Sequence, residues 1–192
     1  MSMTFEERLN RILPRITSDD FLASKGLGNE IGFWIFEYPP ERELDMRAFI
    51  EDVVLPGLDK RTPPIRHQTV NLLDLIVNLL KERDLFDKVI DKQRKSGNDA
   101  VSGSLKSVLK EDKLAQRLVA QVDLDELDLL MLTGTGAAYP LLRTNTLLSA
   151  LHPVMRQTPL LLFFPGRYDG FSLSLFDKLA DDHYYRAFRL VD

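Results

Sequence analysis

Short apolar runs alternating with helical patterns predict an α/β fold, with a mostly parallel open sheet of about five strands covered by helices. Three observations carry this expectation. The runs IGFWIFEY (31–38), LLMLT (129–133) and PLLLFF (159–164) are nearly continuous in apolar residues, as strands buried on both faces are. Segments with apolar residues at three- and four-residue spacing lie between them. Proline and glycine punctuate the junctions. The expected layering is P-loop-NTPase-like or Rossmann-like, without a Walker A motif. A chain of 192 residues fits one such domain, residues 1–192, with helices in the first thirty.

The first helix is marked by Phe5, Leu9, Ile12 and Leu13, which fall on one face, and Pro14 limits it. A second, short helix starts after Thr17 or Ser18, with Asp19 and Asp20 in its first turn, Gly26 past its end and KGLGNE turning the chain. The strand at 31–38 stops at Pro39 and Pro40. A helix follows through ERELDMRAFIEDVVL, with Met46, Ile50, Val53 and Val54 facing inward, and Pro56 and Gly57 close the unit. IRHQTVNL (65–72) is a weaker strand running into the helix LLDLIVNLLKER, whose stripe is Leu72, Leu75, Ile76, Leu79 and Leu80. KSGNDAVSGS (95–104) is rich in turn-forming residues and is expected to be the mobile loop. KEDKLAQRLVAQV supplies another helix through Leu114, Leu118 and Val119. The remainder reads as βαβαβ: LLMLT, loop GTGAAYP, helix LLRTNTLLSAL, strand PLLLFF, loop PGRYDG, helix SLSLFDKLA and strand YYRAFRLV.

Composition excludes several function classes. A net charge of -4 works against a broad coat of nucleic acid or an anionic membrane surface. The longest apolar stretches, such as LLLFF at 160–164, are too short to span a bilayer as a helix. Without cysteine there is no disulfide, thiolate nucleophile or cysteine-ligated zinc. The start MSMTFEERLN has neither a secretory nor a transit pattern, so a cytoplasmic location is expected.

The best candidates for binding are the two loops that follow strands, because open parallel sheets gather ligands at strand carboxyl ends. In GTGAAYP, Gly134, Thr135 and Gly136 permit a sharp bend before a helix that could hold an anion, with Tyr139 and Arg143 close by. The lysine of a phosphate loop and the third glycine of a dinucleotide fingerprint are both missing, so a tight structural turn is the stronger reading. In PGRYDG, Arg167, Tyr168 and Asp169 could contact a partner or an anion, or Asp169 could simply hold the turn. Arg186 and Arg189 need not share a face, and Tyr184 and Tyr185 fit core packing better than base stacking. His67, His152 and His183 are isolated, with no metal-binding spacing. Glu37 and Asp169 could meet at strand ends as a carboxylate pair. There is no nucleophile elbow, and neither a reaction nor a cofactor is expected.

Taken together, FEERLNRIL, FLASKGLGNEIGFWIFEYPPE, LTGTGAAYPLLRTNTLLSAL, PLLLFFPGRYDGFSLSLF and YYRAFRL resemble the B-protein (BrxB) family of BREX phage-defence systems, over most of the chain. The words that carry the resemblance fall on Tyr38, Pro39, Pro40, Gly134, Tyr139, Pro140, Arg143, Pro165, Gly166, Tyr168, Asp169, Gly170, Tyr185 and Arg186. Asn145 and His183 stand where the family commonly has histidine and asparagine respectively, so neither supports a catalytic histidine. The resemblance implies a cytoplasmic protein of bacteria or archaea, encoded with machinery that methylates host DNA and blocks phage replication. It implies work beside a PglZ-like protein of the alkaline-phosphatase superfamily, a PglX-like DNA methyltransferase and a BrxC-like ATPase. Contact with the PglZ-like protein is the preferred expectation, and a homodimer is left open. The function expected first is a non-enzymatic adaptor. A degenerate nucleotide-binding domain and an RNA- or DNA-binding accessory, relying on Arg143, Arg167, Arg186 and Arg189, are the alternatives.

Overall fold

The computed structural model describes residues 3–23, 32–180 and 187–191. Helix α1 (Phe5–Ile16) opens on a capping box, in which the Thr4 side chain accepts from the Glu7 amide and the Glu7 carboxylate accepts from the Thr4 amide. The Ser18 hydroxyl caps the short α2 (Asp19–Leu22), accepting from the Phe21 amide. Strand β1 (Phe33–Tyr38) leads through a 3-10 turn into α3 (Glu43–Phe49), a π-helical stretch (Ile50–Val54) and α4 (Leu55–Asp59).

Pro56 and Gly57 do not close this unit, because both lie inside α4. The widened π-helical turn precedes Pro56, whose ring would otherwise press on the carbonyl four residues back. Gly57 is needed for contact, since a Cβ there would lie 2.3 Å from a Leu13 methyl of α1. Val53, placed on the inward stripe by spacing, is 41% exposed, as the π-helical turn shifts the phase of the pattern.

Strand β2 (His67–Asn71) runs directly into α5 (Leu72–Glu82), and α6 (Phe86–Leu105) and α7 (Glu111–Ala120) follow. The expected loop at 95–104 is instead part of α6, kinked at Gly97, where φ is 79°. Val101 and Leu105, four residues apart, are buried and hold the second half of that helix on the core. Then come β3 (Leu129–Thr133), α8 (Thr135–Ala138), α9 (Thr144–Leu151) and β4 (Leu160–Tyr168).

The expected helix over SLSLFDKLA is a second correction. Leu173 and Leu175 are buried, alternate with serines and form β5 (Leu173–Leu175), which turns into β6 (Leu179–Ala180). Phe176 and Asp177 have φ of 56° and 57°, and the Lys178 amide donates to the Leu175 carbonyl at 3.1 Å. Positive φ at two successive residues makes a primed-type reverse turn within the three-residue connection between Leu175 and Leu179, which a right-handed helix cannot contain. The last strand is β7 (Phe188–Arg189).

The parallel strands lie in the order β2-β3-β4-β1-β7, and the end of β4 pairs antiparallel with β5, which pairs with β6. This is the expected mostly parallel open sheet, in an order other than the Rossmann 3-2-1-4-5-6. Strand parity splits each apolar run between two cores. Phe33, Ile35, Leu130, Leu132, Leu160 and Leu162 face α5–α9, whereas Trp34, Phe36, Leu129, Met131, Leu161 and Phe163 face α1–α4. Each such side chain contributes about 1.5–3 kcal/mol by leaving water, so the sheet is stabilised from both sides.

Candidate functional site

The two loops singled out in the sequence meet beside the carboxyl end of β4. Gly134, with φ at 73°, lies so close to Asn71 that a Cβ would sit 2.4 Å from its Oδ1. That oxygen caps α5, accepting from the Leu73 and Asp74 amides at 3.0 and 3.3 Å. Thr135 is buried and its hydroxyl donates to the Phe163 carbonyl at 3.1 Å, while a Cβ on Gly136 would lie 2.8 Å from the Phe176 ring. Both glycines and the threonine between them thus serve packing of the short helix α8. Arg143 sits just before α9, and it is exposed. With Tyr139, Phe164, Leu173 and Leu179 it borders a cavity of about 150 Å³, well under the size of a nucleotide site.

The PGRYDG segment is mostly strand. Pro165 to Tyr168 extend β4, and a Cβ on Gly166 would meet the Ser174 carbonyl oxygen at 2.1 Å, so glycine lets β5 pair closely. Tyr168 is fully buried, and its hydroxyl lies 2.7 Å from the Ala187 carbonyl and 3.0 Å from that of Gly170, fastening the β7 approach to the hairpin. Asp169 organises the turn, accepting from the Phe171 amide at 2.8 Å, the Ser172 amide at 2.7 Å and the Ser172 hydroxyl at 2.9 Å. These bonds, led by those from the Ser172 and Phe171 amides, hold its carboxyl below the usual range. What this turn leaves at the surface is Arg167, with its side chain 75% exposed and 3.9 Å from Asp177, and Phe171, 65% exposed. Arg186, Tyr184, Tyr185, His183 and the KGLGNE turn lie outside the described residues.

The Glu37–Asp169 pair is not formed, because each carboxylate is engaged elsewhere. Glu37 Oε1 lies 3.0 Å from Arg8 Nη2 and 3.0 Å from Arg189 Nε, with the Glu37 side chain only 12% exposed. Arg8 also donates to the Glu37 carbonyl at 2.9 Å and stacks over Phe36, and Arg189 donates to the Tyr168 carbonyl. Burial pushes the Glu37 carboxyl up despite the two guanidinium groups. This triad joins α1, β1 and β7, and nothing in the local sequence around any member announces it. His67 pairs with Asp59 at 3.1 Å, and the His152 ring packs edge-on against Phe33. Among the described residues, no cluster of three or more metal-ligating side chains occurs, and no helix is long and apolar enough to cross a membrane.

Comparison with known proteins adds what the geometry does not. The family model described as "BREX protein BrxB" matches residues 68–190. A "BREX protein BrxB" of Escherichia coli O9:H4 (strain HS) is 42% identical over 186 residues, covering 97% of this chain and 91% of that one. Its counterpart in Bacillus cereus (strain H3081.97) is 38% identical over 190 residues, covering 97% of each chain. No solved structure matches.

Proposed function

This chain belongs to the BrxB family of BREX proteins, and from that premise we propose that it is a non-catalytic adaptor that docks a PglZ-like protein in the cytoplasm. In this reading it helps assemble the methylation and restriction machinery, including the PglX-like methyltransferase and the BrxC-like ATPase. One observation carries the choice of surface: the β4–β5 turn presents Phe171 and Arg167 to solvent on a rigid base made by Tyr168 and Asp169. An exposed aromatic ring and an arginine on a preorganised turn are the residue types that dominate binding energy at protein interfaces. Thr135 and Gly136, being consumed by packing, support a docking role over a phosphate-holding one.

The test is co-expression with the neighbouring BREX proteins followed by pull-down. Recovery of the PglZ-like protein is expected with the wild type, and Phe171→Ala combined with Arg167→Ala weakens it about tenfold or more, as loss of hot-spot contacts does. No association in the wild type, or undiminished association in a folded double variant, overturns the reading.

A further inference from the structure

We infer that the β2 edge of the sheet is a docking groove for an extended, basic peptide segment of a partner, which binds by adding a strand to β2. The inference is independent of the hairpin surface proposed above. The Arg66 carbonyl accepts from the Leu129 amide at 3.2 Å, and β2 pairs in parallel register with β3. Strand alternation therefore turns the in-plane backbone groups of Arg66, Gln68 and Val70 toward β3 and those of His67 and Thr69 outward. β2 ends the sheet, and it contains no proline, bulge or charged carboxylate or ammonium group that would protect an edge.

The edge is recessed. A groove of about 580 Å³ is bordered by Gln68, Thr69 and Asn71 of β2, by Thr133 and Gly134 at the end of β3, by the α3–α4 stretch and by α5. The π-helical segment contributes Ile50 and Glu51 to this border. The border sets the charge of the occupant. Glu51 on the π-helical segment and Asp74 on α5 are exposed and, among the described residues, form no ion pair, whereas Arg47 is held by Glu43 at 2.7 Å. Main-chain pairing supplies affinity in this mode of recognition, and the two carboxylates select lysine or arginine on the incoming strand.

A short fluorescein-labelled peptide of alternating Val and Lys is the probe, read by anisotropy and by hydrogen exchange at the Thr69 amide. The wild type is expected to bind it with protection of that amide, and Thr69→Pro, which removes an outward N–H that the β2–β3 ladder does not use, weakens binding about tenfold or more. The same peptide with N-methylated backbone amides loses binding to the wild type, which keeps the test valid if Thr69→Pro fails to fold. Glu51→Lys with Asp74→Lys also weakens it. Equal binding of the N-methylated peptide, or no binding by the wild type, overturns the inference. So does self-association of the wild type that Thr69→Pro abolishes, which assigns the edge to a second copy.

Discussion

The two edges of the parallel sheet meet the same problem in different ways. At the β7 edge the strand is two residues long, the carboxylate of Glu37 is buried between Arg8 and Arg189, and Tyr168 ties the hairpin to the backbone at Ala187. At the β2 edge Gln68, Thr69 and Asn71 of a five-residue strand border an open groove. Short strands and covering charges are the usual protections of an edge, and among the described residues the β7 edge has both. The comparison teaches where to look for function. The side rich in conspicuous sequence words uses most of them to hold itself together, whereas the plain sequence HQTVN turns the Thr69 backbone away from its paired neighbour β3.

The division breaks if Tyr168 proves to be a contact residue rather than a core residue. Tyr168→Ala is expected to cost about 3–5 kcal/mol, as truncation of a fully buried aromatic does, and to lower the urea midpoint sharply. Since a domain has about 5–15 kcal/mol in all, weaker partner recovery from this variant reports unfolding. A variant that keeps the wild-type midpoint and loses only binding contradicts the assignment. Gly134→Ala comes next, at about 2–3 kcal/mol, from the left-handed conformation together with displacement of the Asn71 cap. In Asn71→Ala the clash is absent, so the double variant is expected to cost less than its two single changes combined. Strict additivity in chemical denaturation would place the strain of Gly134 elsewhere.

These same residues show what could be read from the chain alone. The apolar runs of β1, β3 and β4 identify buried strands because alternation between two cores leaves few polar positions in them, Glu37 and Thr133 falling near strand ends. The hairpin after β4 was hidden, since its primed turn is built from Phe176 and Asp177 rather than an Asn-Gly pair, and its leucines also fit a helical spacing. Around Pro56 a π-helical turn absorbs the proline expected to end the helix and moves Val53 off the buried stripe. Strand order and the Arg8–Glu37–Arg189 triad depend on residues distant in sequence, to which local patterns do not speak. Of the candidate residues, Gly134, Thr135, Gly136, Tyr168 and Asp169 were recognisable as unusual. Whether they face a ligand or their own fold is decided only by what packs against them.

The smallest expected effect concerns how the β7 edge responds to pH. Glu37 has its carboxyl pushed up in the folded protein, chiefly by burial, with Arg8 and Arg189 opposing. A group with a raised folded pKa contributes stability that is fully present below the unfolded value and is lost as pH rises through the folded one. The acid Asp169 has the opposite sign, its contribution being present above the unfolded carboxylate value and lost as pH falls. Glu37→Gln copies the protonated carboxyl in shape and removes its titration. The pull of the two arginines on the ionised carboxylate is already contained in its folded pKa, so the slope reads the net of burial and charge. Comparing wild type and variant by urea denaturation from about pH 4 to about pH 7 should therefore show the variant gaining on the wild type as pH rises. If the variant loses ground instead, the arginines outweigh burial at Glu37. The closed edge is then held by charge attraction, and added salt should weaken it where the open edge is indifferent.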